Sequence, residues 1–109
     1  MQQFIQTLEL RQGCEAAYEA EHRAVWREVV AGIREVGIER MDIFRDGTRL
    51  VMILELPDHV DFDQAMARLA TLPRQAEWEE HVARYQLCDP SSTSAGKWRR
   101  MNQIFTLPE

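Results

Sequence analysis

The chain begins with alternating apolar and polar positions. Over residues 3–10, Phe4, Leu8 and Leu10 fall on one side of an extended backbone, while Ile5 and Thr7 fall on the other. Alternation of this kind is typical of a β-strand with one face against a core. The sequence therefore predicts a first strand over residues 3–10.

The spacing of apolar residues becomes helical after Gly13, from about Glu15 to Val36. Gly37 stands where the glycine that follows a helix end is expected. This range predicts one long helix. Its apolar residues recur every three or four positions along one face: Val25, Val29, Ile33 and Val36.

Two β-rich runs follow, residues 38–45 and residues 49–56, and they predict a hairpin. They meet at Asp46-Gly47, a dipeptide that favours a tight turn. The second run is apolar on both faces over residues 50–54. A strand with that pattern is expected at the centre of a sheet, with both of its faces covered.

Two shorter helices and a last strand complete the pattern. Asp61, followed three residues later by Gln64, resembles the capping box that begins a helix. Pro73 suits the first turn of a second helix. Residues 88–96 are small and polar and predict a loop, and residues 102–107 predict a short strand.

The order strand, long helix, hairpin, two helices, strand predicts two β-α-β halves. Residues 1–109 are therefore expected to form one domain, a ferredoxin-like α+β sandwich with its helices on one face of an antiparallel sheet. Since the central strand is apolar on both sides, its other face also needs cover. We expect a homodimer in which two sheets meet face to face in a barrel-like core.

Composition narrows the partners and the compartment. A net charge of −5 leaves no surplus of basic residues to neutralise phosphates, which argues against nucleic acid. The mean hydropathy of −0.42 and the lack of a long apolar run argue against a membrane span. With no signal-like start and only Cys14 and Cys88, we expect a cytoplasmic protein with reduced thiols.

The most informative chemistry lies in the segment from Tyr18 to Trp26. Tyr18, His22 and Trp26 are four residues apart, so on one helix they form a stripe at the edge of the apolar face. A phenol, an imidazole and an indole in line suit a small polar ring-shaped ligand. The alternative is that these amphipathic side chains sit at a helix–sheet boundary with their polar tips in water.

The other candidate residues are expected to have structural or solvated roles. His59 is expected in a solvated loop, and His81 in an exposed ion pair. No cluster has the spacing of a metal site, and no glycine-rich loop could cradle a nucleotide. Core or solvated positions are expected for Trp78, Tyr85, Glu79 and Glu80.

Several motifs together resemble the L-rhamnose mutarotase family. They are the run Tyr18-x-x-x-His22-x-x-x-Trp26, the hairpin that begins at Met41, Trp78-Glu79, and the closing Lys97-Trp98-x-x-Met101-x-x-Ile104-Phe105. The resemblance covers nearly the whole chain. The closing elements are more similar to the branch associated with L-fucose. Rhamnose-type members instead carry a tyrosine at the position of Met41 and paired tryptophans at the position of Glu77-Trp78.

The resemblance implies an isomerase that interconverts the α and β anomers of a 6-deoxyhexose, L-fucose or L-rhamnose, as a dimeric α/β barrel without a cofactor or metal. His22 would be the general acid, and Tyr18 and Trp78 would contact the sugar. Trp26 matches the family motif as well, as a pocket residue or a structural one. Two alternatives remain open, a non-catalytic sugar-binding domain and a cofactor-free oxygenase on the same barrel.

Overall fold

Four strands form one antiparallel sheet in the computed structural model, which describes residues 1–89 and 91–109. Their order across the sheet is β2-β3-β1-β4, so β3 and β1 are the central strands. This confirms the predicted central position of the second hairpin strand. The bounds are β1 (Gln2–Glu9), β2 (Arg40–Asp46), β3 (Arg49–Leu56) and β4 (Arg99–Arg100).

Five helices accompany the sheet in the part of the chain that the structure describes, and the predicted α+β class is confirmed. Asp61 caps the third helix by accepting a hydrogen bond from the backbone N–H of Gln64 at 2.9 Å, as its sequence predicts. None of the helices in the described residues is long and apolar enough to cross a membrane. Their bounds are α1 (Glu15–His22), α2 (Arg27–Glu35), α3 (Phe62–Leu69), α4 (Gln75–Ala83) and α5 (Ser94–Lys97).

The predicted β2–β3 hairpin forms, and Asp46 lies opposite Arg49 across it. Gly47 and Thr48 are the two turn residues. Gly47 has a φ of +59°, a left-handed conformation that glycine adopts at low cost because it has no Cβ. The predicted Asp46-Gly47 dipeptide thus lies at the start of this turn, because Asp46 ends β2 and Gly47 is the first turn residue.

The two faces of the sheet are covered unequally. Helix α3 packs on the face that carries Phe4, since the Phe4 and Phe62 rings lie 4.4 Å apart. On that face Leu8, Leu50, Met52 and Leu54 are buried. The opposite face has only half-buried apolar residues on its central strands, and Phe44 there is 55% exposed. The buried face and its helices form the core of this chain.

The prediction of one long helix over residues 15–36 is wrong, because the structure has two helices. Helix α1 ends at His22, and its last turn tightens into short-range bonds from the N–H groups of Arg23 and Ala24. Trp26 is extended, with a ψ of 138°, and is the N-cap residue that precedes α2. The break lets the Trp26 indole pack against Trp78, and this tertiary contact outweighs the helical preference of residues 23–25.

Two predictions near the C-terminus also need correction. Residues 88–96 are not wholly a loop, since Ser94 begins the short helix α5; Pro90 lies outside the described residues. Residues 102–107, all of them described, form no strand. The pairing with β1 ends instead at Arg99–Arg100, with one more hydrogen bond from the Met101 N–H to the Ile5 carbonyl. Beyond it Ile104 is 95% exposed.

A close approach between α2 and α4 sets the distance between the helices that carry the candidate residues. A Cβ on Gly32 would stand 2.3 Å from the Gln75 side-chain nitrogen. That nitrogen donates to the carbonyls of Glu28 at 3.3 Å and Val29 at 3.0 Å, and Gln75 is buried. Gly32 is therefore needed for space rather than for backbone freedom.

We expect Gly32→Ala to lower the free energy of unfolding by roughly 1–3 kcal/mol, because the Gln75 amide must leave both of its acceptors. Alanine otherwise favours a helix over glycine by about 1 kcal/mol, so a loss would run against intrinsic preference. The measurement is urea-induced unfolding followed by circular dichroism. Gly96→Ala is the control, since its Cβ would make ordinary contacts, the nearest at 3.5 Å.

Candidate functional site

A cavity of about 90 Å³ lies between the helices and the covered face of the sheet. It adjoins a larger surface cleft of about 610 Å³, with which it shares His22, Met41 and Ile43. The cavity brings together three of the four candidate site residues. Among its lining residues are Tyr18, His22, Met41, Ile43, Met52, Gln75, Trp78, Glu79, Gln86 and Trp98.

Tyr18 and His22 stand one turn apart on α1, with their ring centres 4.3 Å apart. The His22 Nδ1 atom lies 2.9 Å from the backbone carbonyl of Tyr18. Because a carbonyl oxygen only accepts hydrogen bonds, Nδ1 carries the hydrogen. The neutral imidazole therefore has its lone pair on Nε2. This tautomer leaves one nitrogen free for proton exchange in the cavity.

The Tyr18 hydroxyl is enclosed, since the residue is only 4% exposed. Its oxygen accepts a hydrogen bond from the Gln86 side-chain nitrogen at 3.4 Å. Burial raises the pKa of the Tyr18 phenol well above its ordinary value; the Gln86 hydrogen bond lowers it in part, and the Glu79 carboxylate raises it further. Tyr18 is therefore a neutral phenol at physiological pH.

The two candidate tryptophans have different places. Trp78 on α4 is buried, lines the cavity and meets the His22 ring edge-on, with 5.5 Å between ring centres. Trp26 is not among the described residues that line the cavity. It meets Trp78 edge-on at 5.1 Å and lies under the Arg74 guanidinium at 4.1 Å. Trp26 thus supports Trp78 from outside the cavity.

The remaining histidines have structural or solvated positions. His59 is exposed. His81 on α4 donates a hydrogen bond from its Nε2 to the Glu21 carboxylate of α1 at 2.8 Å, and both side chains are half-buried rather than exposed. The hydrogen bond from His81 is the main cause that lowers the pKa of Glu21. This contact holds α1 and α4 together behind the cavity, beside Trp26.

Sequence reasoning missed a buried polar group that contacts two lining residues of the cavity, Glu79 and Gln86. The Lys97 side chain has no exposed area, and its Nζ lies 2.9 Å from the Glu79 carboxylate and 3.0 Å from the Gln86 oxygen. The expectation that Glu79 belongs to a solvated face is wrong, whereas Glu80 is exposed. One signal was available, since Lys97 is the only lysine among thirteen basic residues.

The arrangement suits a small neutral molecule with several hydroxyls and one apolar side. His22 supplies a titratable nitrogen, Tyr18 supplies a hydroxyl, and Met41, Ile43 and Trp78 supply apolar walls. Within residues 1–89 and 91–109, no three His, Cys, Asp or Glu side chains are grouped so that they could hold a metal ion. The chemistry on offer is acid–base exchange on an uncharged ligand.

Comparison with known proteins gives consistent matches. The L-rhamnose mutarotase family matches residues 3–107. The chain is 42% identical over 96 residues to the L-fucose mutarotase of Xanthomonas campestris pv. campestris, covering 86% of this chain and 77% of that protein. It is 31% identical over 87 residues to the L-rhamnose mutarotase of Leptothrix cholodnii, covering 77% of each.

The fold has a counterpart among solved structures. The crystal structure of an L-rhamnose mutarotase from Formosa agariphila superposes with a TM-score of 0.72, covering 99% of this chain and all of that one. The two sequences are only 15% identical, so this similarity supports a shared fold and nothing more.

The enclosed phenol makes a prediction about ionisation. Because the pKa of Tyr18 is raised, we expect no tyrosinate from it at pH 10, the ordinary tyrosine pKa. The absorbance of ionised tyrosine that develops around that pH should therefore be the same in the native wild type and in Tyr18→Phe. A smaller absorbance change in Tyr18→Phe would mean that the hydroxyl ionises as freely as one in water.

Proposed function

Because the chain belongs to the L-rhamnose mutarotase family, whose members are isomerases that interconvert sugar anomers, we propose that it acts on the α and β anomers of a 6-deoxyhexose. The observation that carries this proposal is the pairing of Tyr18 and His22 inside one cavity, next to Trp78. A neutral hydroxyl and a free imidazole nitrogen are the groups that opening a sugar ring requires.

L-fucose is the first candidate substrate, and L-rhamnose the second. The relative named for L-fucose is 42% identical to this chain, against 31% for the relative named for L-rhamnose. Met41 adds support, because it lines the cavity at a position where rhamnose-type members carry a tyrosine. The two sugars differ in the directions of their hydroxyl groups. A tyrosine hydroxyl in the cavity wall, or a methionine in its place, therefore changes which of the two sugars can form all of its hydrogen bonds.

The mechanism we propose moves one proton between two oxygens on the same carbon. The His22 Nε2 takes the proton of the anomeric hydroxyl, the carbonyl forms at C1, and the bond from C1 to the ring oxygen breaks. The ring oxygen keeps the electron pair and receives the proton back from His22, now acting as the general acid. Rotation about the bond from C1 to C2 and the reverse steps give the other anomer. Tyr18 or a water is the partner of His22.

The walls of the cavity suit the rest of a deoxysugar. Trp78, Met41 and Ile43 offer flat or apolar surface to the ring face and the methyl group. Trp26 contributes indirectly, because it packs edge-on against Trp78 and is itself covered by the Arg74 guanidinium. No charge needs to be recognised in a neutral sugar, which agrees with the acidic balance of the chain.

We further propose that two copies pair through the open face of the sheet and form a dimeric barrel. On that face Ile5, Val51 and Ile53 are half-buried and Phe44 is exposed, although β1 and β3 are the central strands. The C-terminal segment adds exposed apolar side chains next to β4: Met101, Ile104, Phe105 and Leu107. An apolar patch of this kind marks a contact surface, and a second copy offers the same patch in return.

The function is tested by measuring anomer exchange for a panel of sugars by saturation-transfer NMR. We expect the wild type to accelerate exchange for L-fucose most, and His22→Ala to reduce that acceleration by about 10²–10⁴-fold, because no other imidazole lines the cavity in the described residues. His59→Ala removes an exposed histidine and should keep the full rate.

Other outcomes would point to other functions. Full activity in His22→Ala would overturn the catalytic assignment. Saturable sugar binding without any acceleration by the wild type would favour a sugar-binding domain. Consumption of dioxygen with an aromatic substrate would favour an oxygenase.

The dimer is tested by sedimentation velocity. We expect the wild type to sediment at about twice the chain mass of 12.8 kDa, and Ile53→Arg to sediment as a monomer, since a charge at the centre of the open face cannot be buried without a partner. Ala31→Arg adds the same charge on the exposed side of α2 and should stay dimeric. A monomeric wild type would contradict the proposal.

A further inference from the structure

Lys97 is the most deeply buried charged side chain near the cavity, and all of its hydrogens are used. Its Nζ donates to the Glu79 backbone carbonyl at 2.7 Å, to the Glu79 carboxylate at 2.9 Å and to the Gln86 side-chain oxygen at 3.0 Å. An ammonium has three donors and no acceptor. Each atom that touches Lys97 must therefore be an acceptor, and this fixes the orientation of its neighbours.

The Gln86 amide is the neighbour whose orientation matters, since it is only 1% exposed and cannot turn towards water. Its oxygen has to face the ammonium, because its NH₂ group would meet another donor there. The NH₂ group then has to face the other way, and it lies 3.4 Å from the Tyr18 oxygen. Lys97 thus decides which end of Gln86 meets Tyr18.

The consequence reaches the Tyr18 hydroxyl. Its oxygen accepts from Gln86, so its own hydrogen cannot point at that amide. The space left for the hydrogen is the cavity, which both residues line. If the amide were reversed, Tyr18 would donate to it and would present only lone pairs to a ligand.

We propose that Lys97 and Gln86 are positioning residues which commit the Tyr18 hydroxyl to donate a hydrogen bond to the sugar. This inference rests on the proposed mutarotase function and deepens it, because it assigns Tyr18 as the partner of His22. The cavity then holds one fixed donor on Tyr18 and one fixed acceptor on the His22 Nε2, since Nδ1 is engaged by the Tyr18 carbonyl. While His22 carries the proton, the Tyr18 hydroxyl stabilises the negative charge that develops on the ring oxygen.

Replacing one atom, the side-chain nitrogen of Gln86, by an oxygen is expected to reverse the direction of the Tyr18 hydroxyl. Gln86→Glu keeps the size of the side chain and gives Lys97 a carboxylate oxygen, while the second oxygen faces Tyr18 as an acceptor. We expect Tyr18 to donate to it and to leave the cavity without a donor. Gln64→Glu makes the same change of charge at an exposed position of α3 and should keep the wild-type rate.

The kinetic test is a double-mutant cycle on anomer exchange. We expect Gln86→Glu and Tyr18→Phe each to lower kcat by about tenfold, the value of one hydrogen bond, and the double variant to lose no more than either single one. A purely structural role for Gln86 would make the two losses multiply. That result, or a full rate in Gln86→Glu, would overturn the proposal.

A spectroscopic test needs no substrate, so it separates failure of this inference from failure of the proposed function. With tyrosine labelled by carbon-13 at Cζ, the Tyr18 signal should move downfield in Gln86→Glu, because a phenol that donates to a carboxylate moves towards phenolate character. Lys97→Met should broaden or split the same signal, since the Gln86 amide is then free to turn over. An unmoved Tyr18 signal in both variants would refute the fixed direction, even if sugars were turned over.

Discussion

A buried ammonium with three acceptors is the interaction on which the end of the fold and the site both depend. Lys97 is the last residue of the short helix α5, and it joins the chain to α4 through Glu79 and to the segment after α4 through Gln86. Trp98 then enters the core, and Arg99 and Arg100 pair with β1. Loss of this contact would leave buried acceptors unsatisfied, which costs more than the contact itself stabilises. One side chain therefore joins the last strand to the wall of the cavity.

Much of the fold follows from local pattern. The hairpin over residues 40–56 and the cap at Asp61 are set by neighbouring residues, and the sequence predicts both. The break after His22 could not be predicted, because no proline or glycine marks it and its cause is a contact between Trp26 and a residue 52 positions away. The strand expected at residues 102–107 does not form either, and its apolar side chains Ile104, Phe105 and Leu107 are exposed.

The candidate site divides in the same way. Tyr18 and His22 share a helix, so their adjacency follows from a spacing of four residues. Trp78 was predicted as a site residue only through the resemblance to a known family. Glu79, Gln86 and Lys97 have no periodicity that would group them, and a charged pair is normally assigned to the surface. What makes them one unit is the matching of donors with acceptors around the buried Lys97 ammonium. The distances between donor and acceptor atoms in the structure reveal this matching, whereas the amino-acid sequence does not.

The position of β1 has a consequence for how the chain folds. Strand β1 lies between β3 and β4, so its two neighbours follow it by about 50 and 90 residues in the sequence. Contacts so distant in sequence require large loops to close before they stabilise anything, and they slow folding. The hairpin can form early, but the sheet is complete only when almost the whole chain is available. The contacts of Lys97 with Glu79 and Gln86, two residues that line the cavity, are then among the last parts of the molecule to assemble.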